Sequence, residues 1–370
     1  MSARFLTVVL ERAFNMRDGF GREIDYMRIS VIDSCNLNCY YCNPCDNNEH
    51  CHALNILSVK EVLCIVRAAT RLGIKHFRLT GGGALLHPQL DEMVLQIKKI
   101  PGVSSVSLTT NAVLLAQHAK WLKEAGIDSI NVSLDTIDAS EYERITKKPL
   151  LEEVKHGINA AIECGIRVKI NVVLTPQTDV VALTRYVAKK GTDIRFIEMM
   201  PVGEGHTNGV EPYKKVIGTL SKLYGEPCRI NTEKTKEINS GNDKRKIPDN
   251  GPAEYYIFPE LGIRVGLIQA IHGKFCDTCN RIRVTADGRL MPCLGSSVTM
   301  DLVPDSWDFA DDVEKDFAIV RALRAAIKAK PRCHNFNDNA VTYTKTTETK
   351  TTEIEAAEVN AARNMSRIGG

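Results

Sequence analysis

Short apolar, β-branched runs alternate with longer stretches of helical period through the first 200 residues, one pair about every 25 to 30 residues. The strand-like runs are 27–32, 76–80, 104–109, 129–134, 167–174 and 193–199. Between them, 59–72, 90–99, 116–125, 151–164 and 180–190 carry apolar residues at the spacing of amphipathic helices. A repeated strand–helix unit predicts a parallel sheet, since each helix carries the chain back to start another strand in the same direction. Six units without an internal break fit an incomplete (βα)6 barrel of the TIM type better than a doubly wound sheet. In both architectures chemistry gathers at the carboxyl ends of the strands.

Past residue 201 the rhythm changes to a helix near 212–224, a polar loop at 239–251, strands near 253–258 and 263–270, and a last helix near 313–330. This predicts a smaller C-terminal α+β domain, dividing the chain into 1–200, 201–334 and a tail at 335–370. Residues 335–352 are rich in Thr, Asn and Lys with little to bury, as in a solvated linker. Over all 370 residues, 44% hydrophobic and 25% charged composition is that of an ordinary globular protein. A net charge of +3 argues for neither nucleic acid nor membrane as a partner. The apolar stretch 5–10 is too short for a secretory signal, and no run reaches the roughly 18 apolar residues of a membrane span. Twelve cysteines are then expected in a reducing cytoplasm, where repeated spacings read as metal ligation rather than disulfides.

Two cysteine triplets stand out. Cys35, Cys39 and Cys42 follow the first strand as C-x3-C-x2-C. Cys276, Cys279 and Cys293 form C-x2-C-x13-C. Each offers three thiolates to a site that takes four ligands, which leaves one position for water, substrate or cofactor. Ligand type alone admits both zinc and an iron–sulfur cluster. A competing frame, Cys39, Cys42 and Cys45, lacks the fourth Cys and the Pro that the ferredoxin pattern expects, since Glu49 and His50 stand there. Cys45, Cys51, Cys64, Cys164, Cys228 and Cys333 read as packed or incidental thiols, and Cys51-His52 is given no role. Gly81-Gly82-Gly83 follows the second strand and Thr109-Thr110-Asn111 ends the third. Arg281 and Arg283 alternate on a strand, so both point to one face. Outward, that face is solvated; inward, its guanidinium forks suit phosphate.

The segment DYMRISVIDSCNLNCYYCNP resembles the cluster loop of radical S-adenosylmethionine (SAM) enzymes. With DGFGREIDYMRIS, RFIEMMPVGEG, GPAEYY, FCDTCNRIRVTADGRLMPCLG and the terminal Gly-Gly, the chain is similar to the GTP 3′,8-cyclases of molybdenum-cofactor biosynthesis. The resemblance implies a [4Fe-4S] cluster on Cys35, Cys39 and Cys42 that binds SAM, with Tyr41, Gly82, Ser133 and Met200 at the SAM-contacting positions. It implies a second [4Fe-4S] cluster on Cys276, Cys279 and Cys293 that meets the guanine of GTP. Arg28, Arg78, Thr109, Lys169, Arg281 and Arg283 match the GTP-contacting positions. The implied reaction abstracts the 3′ hydrogen of GTP with a 5′-deoxyadenosyl radical and joins C3′ to C8, and Arg28, Arg281 or Arg283 delivers a proton. Its product, 3′,8-cyclo-7,8-dihydro-GTP, passes to a separate cyclic pyranopterin monophosphate synthase. A reductant of unknown identity, a homodimer, and insertion of Gly369-Gly370 into the active site belong to the same resemblance. At about 3.3 Å per extended residue, a linker of roughly eighteen residues reaches on the order of 60 Å.

Two adjacent positions depart from the family. Where it reads Gly-Gly-Glu-Pro, this chain has Gly83 and Ala84 in the last two places. Loss of a hydrogen bond to the SAM ammonium, worth about 1.5–3 kcal/mol, predicts binding weaker by roughly ten- to hundredfold. Two other readings fit the triplets alone: a radical SAM peptide-modifying enzyme with an auxiliary cluster, and a degenerate, non-catalytic iron–sulfur paralogue.

Overall fold

The computed structural model describes residues 16–42, 55–202, 205, 209–230, 251–296, 298–302, 312–334 and 336, and the backbone of 344–347 and 350–353. Cys45, Cys51, His52, most of the polar loop at 239–251, and Gly369-Gly370 lie outside the described residues.

Six βα units unfold in the expected order. The strands are β1 (Tyr26–Ser30), β2 (His76–Thr80), β3 (Ser105–Thr110), β4 (Ser129–Ser133), β5 (Val168–Val173) and β6 (Asp193–Ile197). The helices between and after them are α1 (Val59–Arg71), α2 (Leu90–Lys98), α3 (Leu115–Glu124), α4 (Ala139–Thr146), α5 (Leu151–Glu163) and α6 (Val180–Lys189). Beyond them lie α7 (Gly218–Tyr224), β7 (Cys228–Ile230), β8 (Glu254–Ile257), β9 (Arg264–Ile268), β10 (Arg281–Val284), β11 (Arg289–Met291), β12 (Met300–Asp301) and α8 (Asp312–Lys328). The backbone at Thr344–Thr347 and Lys350–Glu353 forms an antiparallel pair, β13 and β14, where the sequence suggests a linker. Threonine-rich chain has the β-branching that a pleated strand favours.

Strands β1 to β6 pair in sequence order, all parallel. β10 adds parallel to β1 and β9 parallel to β6. The incomplete barrel therefore carries eight parallel strands, two of them from the segment that follows residue 201. β11 and β12 extend one end antiparallel and β8 and β7 the other.

Parallel strands buried on both faces usually read as unbroken apolar runs. Here they alternate. Met27, Ile29, Phe77, Leu79, Val106, Leu108, Ile130 and Val132 turn outward into the core shared with the helices, each fully buried. The intervening positions, among them Arg28, Arg78, Ser107, Asn131 and Lys169, share the opposite face and line a polar barrel interior. Two of these groups, Arg28 Nε and Asn131 Oδ1, are buried without a hydrogen-bond partner among the described residues, and such groups cost roughly 1–3 kcal/mol each unless a ligand meets them.

The helices are held by local signals. α1 begins with a capping box in which Ser58 accepts from Glu61 N and Glu61 accepts from Ser58 N. Its apolar stripe buries Val62, Ile65, Val66 and Ala69. α8 packs on α1, with Arg71 Nη2 2.7 Å from Asp316 Oδ2 across the contact. α4, absent from the sequence reading, is capped by Asp138 and stops at Lys147 in the left-handed conformation, φ 61°.

Candidate functional site

One cavity opens at the carboxyl ends of the parallel strands, and both cysteine triplets are on its wall. The first triplet comes from the loop after β1. Asn38 N and Tyr40 N donate to the carbonyls of Thr146 and Ile145, which moors the loop to the end of α4. Cys42 N donates to Cys39 O and closes a turn between those ligands. Asn111, just past β3, donates to Asn36 Oδ1 at 2.8 Å and stands 3.7 Å from Cys35 Sγ.

The glycine run after β2 lies against this loop. Gly82 N donates to Ile32 O and Gly83 N to Ser34 O. A Cβ on Gly81 would stand 2.5 Å from Ile32 O, and one on Gly82 2.4 Å from Ser34 O. Backbone blocks both, so glycine is obligatory there. Gly83 differs. Its φ of −113° suits any residue, and a Cβ would meet only side-chain atoms, Leu86 Cδ1 at 3.1 Å and Asn36 Oδ1 at 3.2 Å. Those side chains would have to give by a few tenths of an ångström, which makes Gly83 the most accommodating of the three, at the position where the resemblance implies a glutamate.

Tyr41 turns back into the cavity and its hydroxyl donates to Asp135 Oδ2. Asp135 also accepts Val173 N at 2.8 Å, so β4 and β5 jointly fix it. Burial pushes Asp135 up to about 6, against these two donated hydrogen bonds. Ser133 and Met200 complete this side of the wall.

The second triplet arises where the chain passes from β9 to β10 through residues 269–280. Glu198, just past β6, accepts Ile271 N at 2.7 Å, His272 N at 3.1 Å and the His272 ring. Arg22 is buried beside Asp18 and donates to Cys276 O, Arg332 O and Pro331 O at 2.7, 2.9 and 2.6 Å. Cys279 N donates to Cys276 O, and Cys293 follows β11 on the neighbouring strand pair. Burial would raise the Cys279 thiol, but Arg281 and then Lys330 outweigh it and bring it down to about 7. Burial, then the Cys42 charge, pushes Cys39 well up, and burial, then the Cys35 charge, pushes Cys42 up to about 12.

Arginines line the space between the triplets. Arg283, Arg28 and Arg78 occupy one register row across β10, β1 and β2. Burial, then Arg283, holds Arg28 well below the ordinary arginine value, and burial, then Arg281, brings Arg283 to about 10. Arg28 Nε is buried without a hydrogen-bond partner among the described residues. Arg78 Nε donates to Tyr26 Oη and Arg78 Nη1 stands 3.4 Å from Thr109 Oγ1. Arg281 stacks on Phe275, 5.1 Å from its centroid. This is a cationic row with no carboxylate in it, the electrostatic complement of a polyphosphate.

Of the residues expected from sequence, Arg28, Cys35, Cys39, Tyr41, Cys42, Gly82, Thr109, Ser133, Met200, Cys276, Cys279, Arg281, Arg283 and Cys293 all line the cavity. Arg78 and Lys169 do not. Arg78 supports the wall from beside Arg28, while Lys169, on central strand β5, lies with its ammonium 6.0 Å from the Tyr255 ring. The inward alternative for Arg283 holds: it is 8% exposed. Asp135, Glu198, Lys330 and His334 also line the cavity and had no sequence signal beyond lying near a strand end or a cysteine. No group of three or more His, Cys, Asp or Glu side chains among the described residues is arranged to hold a single metal ion. Three thiols per triplet, glycine backbone packed against the first, and cations beside the second fit iron–sulfur clusters with anionic ligands. Among the other cysteines, Cys64 is buried and Cys164 partly so, whereas Cys228 and Cys333 are exposed.

Comparison with known proteins agrees with this arrangement. The Radical SAM superfamily profile matches residues 29–182, and the profile named Molybdenum Cofactor Synthesis C matches 192–336. The chain is 35% identical over 324 residues to a protein of Clostridium perfringens strain SM101 named GTP 3′,8-cyclase, covering 87% of this chain and 95% of the relative. It is 36% identical over 327 residues to the protein of that name from Pelotomaculum thermopropionicum, covering 86% and 95%. Among solved structures, Streptococcus suis SuiB superposes with a TM-score of 0.53 at 14% identity, over 81% of this chain. The chain spans 65% of SuiB's length, and that likeness speaks to the fold alone. No helix among the described residues is long and apolar enough to cross a membrane.

Proposed function

The chain belongs to the GTP 3′,8-cyclase family of radical SAM enzymes, and from that premise we propose that it converts GTP to 3′,8-cyclo-7,8-dihydro-GTP in molybdenum-cofactor biosynthesis. The single observation that carries this reading is that both triplets and Arg28, Arg281 and Arg283 face one cavity. Neither a peptide-modifying enzyme nor a non-catalytic paralogue is favoured beside 34–36% identity to cyclases over most of the chain.

Cys35, Cys39 and Cys42 would hold a [4Fe-4S] cluster, with SAM against Tyr41, Gly82, Ser133 and Met200. When bound, that pair supplies reductive SAM cleavage and hydrogen-atom abstraction at the ribose. The protein's own part is placement. Arg28, Arg281 and Arg283 offset the triphosphate charge and fix the nucleotide's orientation, with Arg78, Thr109 and Lys169 supporting them. Cys276, Cys279 and Cys293 would hold a second [4Fe-4S] cluster at the base end of the nucleotide. One electron from the reductant and one proton from Arg28, Arg281 or Arg283 together would complete the dihydropurine. Asp135 fixes the Tyr41 ring, and the enclosed barrel keeps bulk water from the reacting carbon. The cytoplasm supplies GTP and the reductant, a homodimer is the assembly proposed, and the product goes to a cyclic pyranopterin monophosphate synthase.

The deciding test incubates anaerobically reconstituted protein with GTP, SAM and dithionite. Formation of 5′-deoxyadenosine together with 3′,8-cyclo-7,8-dihydro-GTP is expected; absence of both in protein that demonstrably binds SAM ends this reading.

Position 83 gives a further prediction. Gly83→Glu is expected to fold and to tighten SAM binding roughly ten- to hundredfold, the worth of a charged hydrogen bond. Gly82→Ala should instead disrupt the loop and lower first-cluster iron, since its Cβ has no room. Equilibrium titration with SAM checks the pair, and an unchanged affinity in Gly83→Glu would show that the ammonium is received elsewhere.

A further inference from the structure

Lys330 is a buried cation at the site to which the proposed reaction gives no part. Lys330, two residues past α8, is only 3% exposed, and lysine is almost never buried to that degree unless paired. Its ammonium donates to Arg281 O and Pro292 O, each at 2.8 Å. Those carbonyls belong to the two separate arms of the second triplet. Arg281 lies two residues past Cys279, and Pro292 directly precedes Cys293.

Two carbonyls satisfy two of the three ammonium protons, but a dipole does not neutralise a charge. No carboxylate among the described residues forms an ion pair with Lys330. Lys330 lines the cavity together with Cys276, Cys279 and Cys293, so a centre bound by those sulfurs is the counter-charge its position offers. The adjoining carbonyls of Pro331 and Arg332 accept from Arg22, which also holds Cys276 O. Three consecutive residues, 330–332, thus tie together the arms that carry all three cysteines.

We infer that Lys330 is a positioning residue for the second metal site: it bridges the two arms of Cys276, Cys279 and Cys293 and provides the buried positive charge that their bound metal centre requires. The inference rests on the reading of that triplet as a metal site given above. A cluster held by three thiolates is anionic, and one-electron reduction makes it more so. A cation fixed beside it in a poorly screened interior stabilises the reduced form more than the oxidised form and so raises the reduction potential.

The test uses the full chain, reconstituted anaerobically, as wild type, Lys330→Gln and Lys330→Arg. Iron and acid-labile sulfide are counted, and each cluster is followed by electron paramagnetic resonance through a redox titration. Lys330→Gln is expected to keep a first cluster whose signal responds to SAM, while the second cluster is lost or titrates at more negative potential. Lys330→Arg, which keeps the charge, is expected to restore the second cluster. An unshifted second cluster in Lys330→Gln overturns the inference, as does equal loss of both clusters in both variants. If the wild-type triplet holds zinc, the cluster reading fails, and selective zinc loss in Lys330→Gln still supports Lys330's role. A wild-type second triplet that holds no metal overturns both.

Discussion

Cys279→Ala is expected to abolish formation of the cyclised nucleotide, by at least roughly a thousandfold, while leaving basal SAM cleavage to 5′-deoxyadenosine. The two triplets share a cavity but not a scaffold. The first is moored to α4 and to the glycine run after β2, the second to Arg22, Glu198 and Lys330. The two sets of moorings lie on different segments of the chain, so loss of a ligand in the second should spare the first. Cys39→Ala is the contrasting variant and should lose both products, because SAM cleavage itself depends on the first site. The measurement is a product ratio, with iron per chain falling by about four in either variant. If Cys279→Ala lost SAM cleavage in proportion to cyclisation, the assignment of separate roles would be wrong.

Arg28→Met is expected to weaken GTP binding by roughly 30-fold or more while making the ligand-free protein more stable. The first effect follows from removing one member of a desolvated ion pair with phosphate, a loss of at least about 2 kcal/mol. The second follows from the empty-handed state of the site. Arg28 stands between Arg283 and Arg78 in one register row, and burial and Arg283 both disfavour its charge. Removing it relieves repulsion that only an anion otherwise offsets, an arrangement in which stability is spent on binding. Nucleotide titration and thermal unfolding without nucleotide read the two effects separately. A parallel fall in stability and affinity would mean that Arg28 supports the barrel instead of the ligand. SAM affinity should not change, since Tyr41, Gly82, Ser133 and Met200 are untouched.

Much of the barrel was legible in the chain. The strand positions follow from β-branched runs, and the helices from apolar stripes closed by signals such as the Ser58–Glu61 box. The triplets, the glycine run and the Arg281/Arg283 alternation marked the site. α4 escaped notice because its eight residues are too few to show a clear period. Asp135, Glu198 and Lys330 escaped for a different reason. Each is an ordinary charged residue near the end of an element, and only its partners, 38 to 94 residues away for the two carboxylates, give it a role.

By itself the sequence determined which residues form strands, which face of each is apolar, and which side chains are able to ligate metal or phosphate. Those properties are local, set by a period of two or 3.6 and by side-chain chemistry. Tertiary structure alone decided that β10 pairs with β1, so that Arg283 stands beside Arg28 from 255 residues away in the chain and Lys330 reaches both arms of the second triplet. Pairing across that distance is fixed by closure of the parallel strand row and burial of its outer face, and no local pattern encodes it.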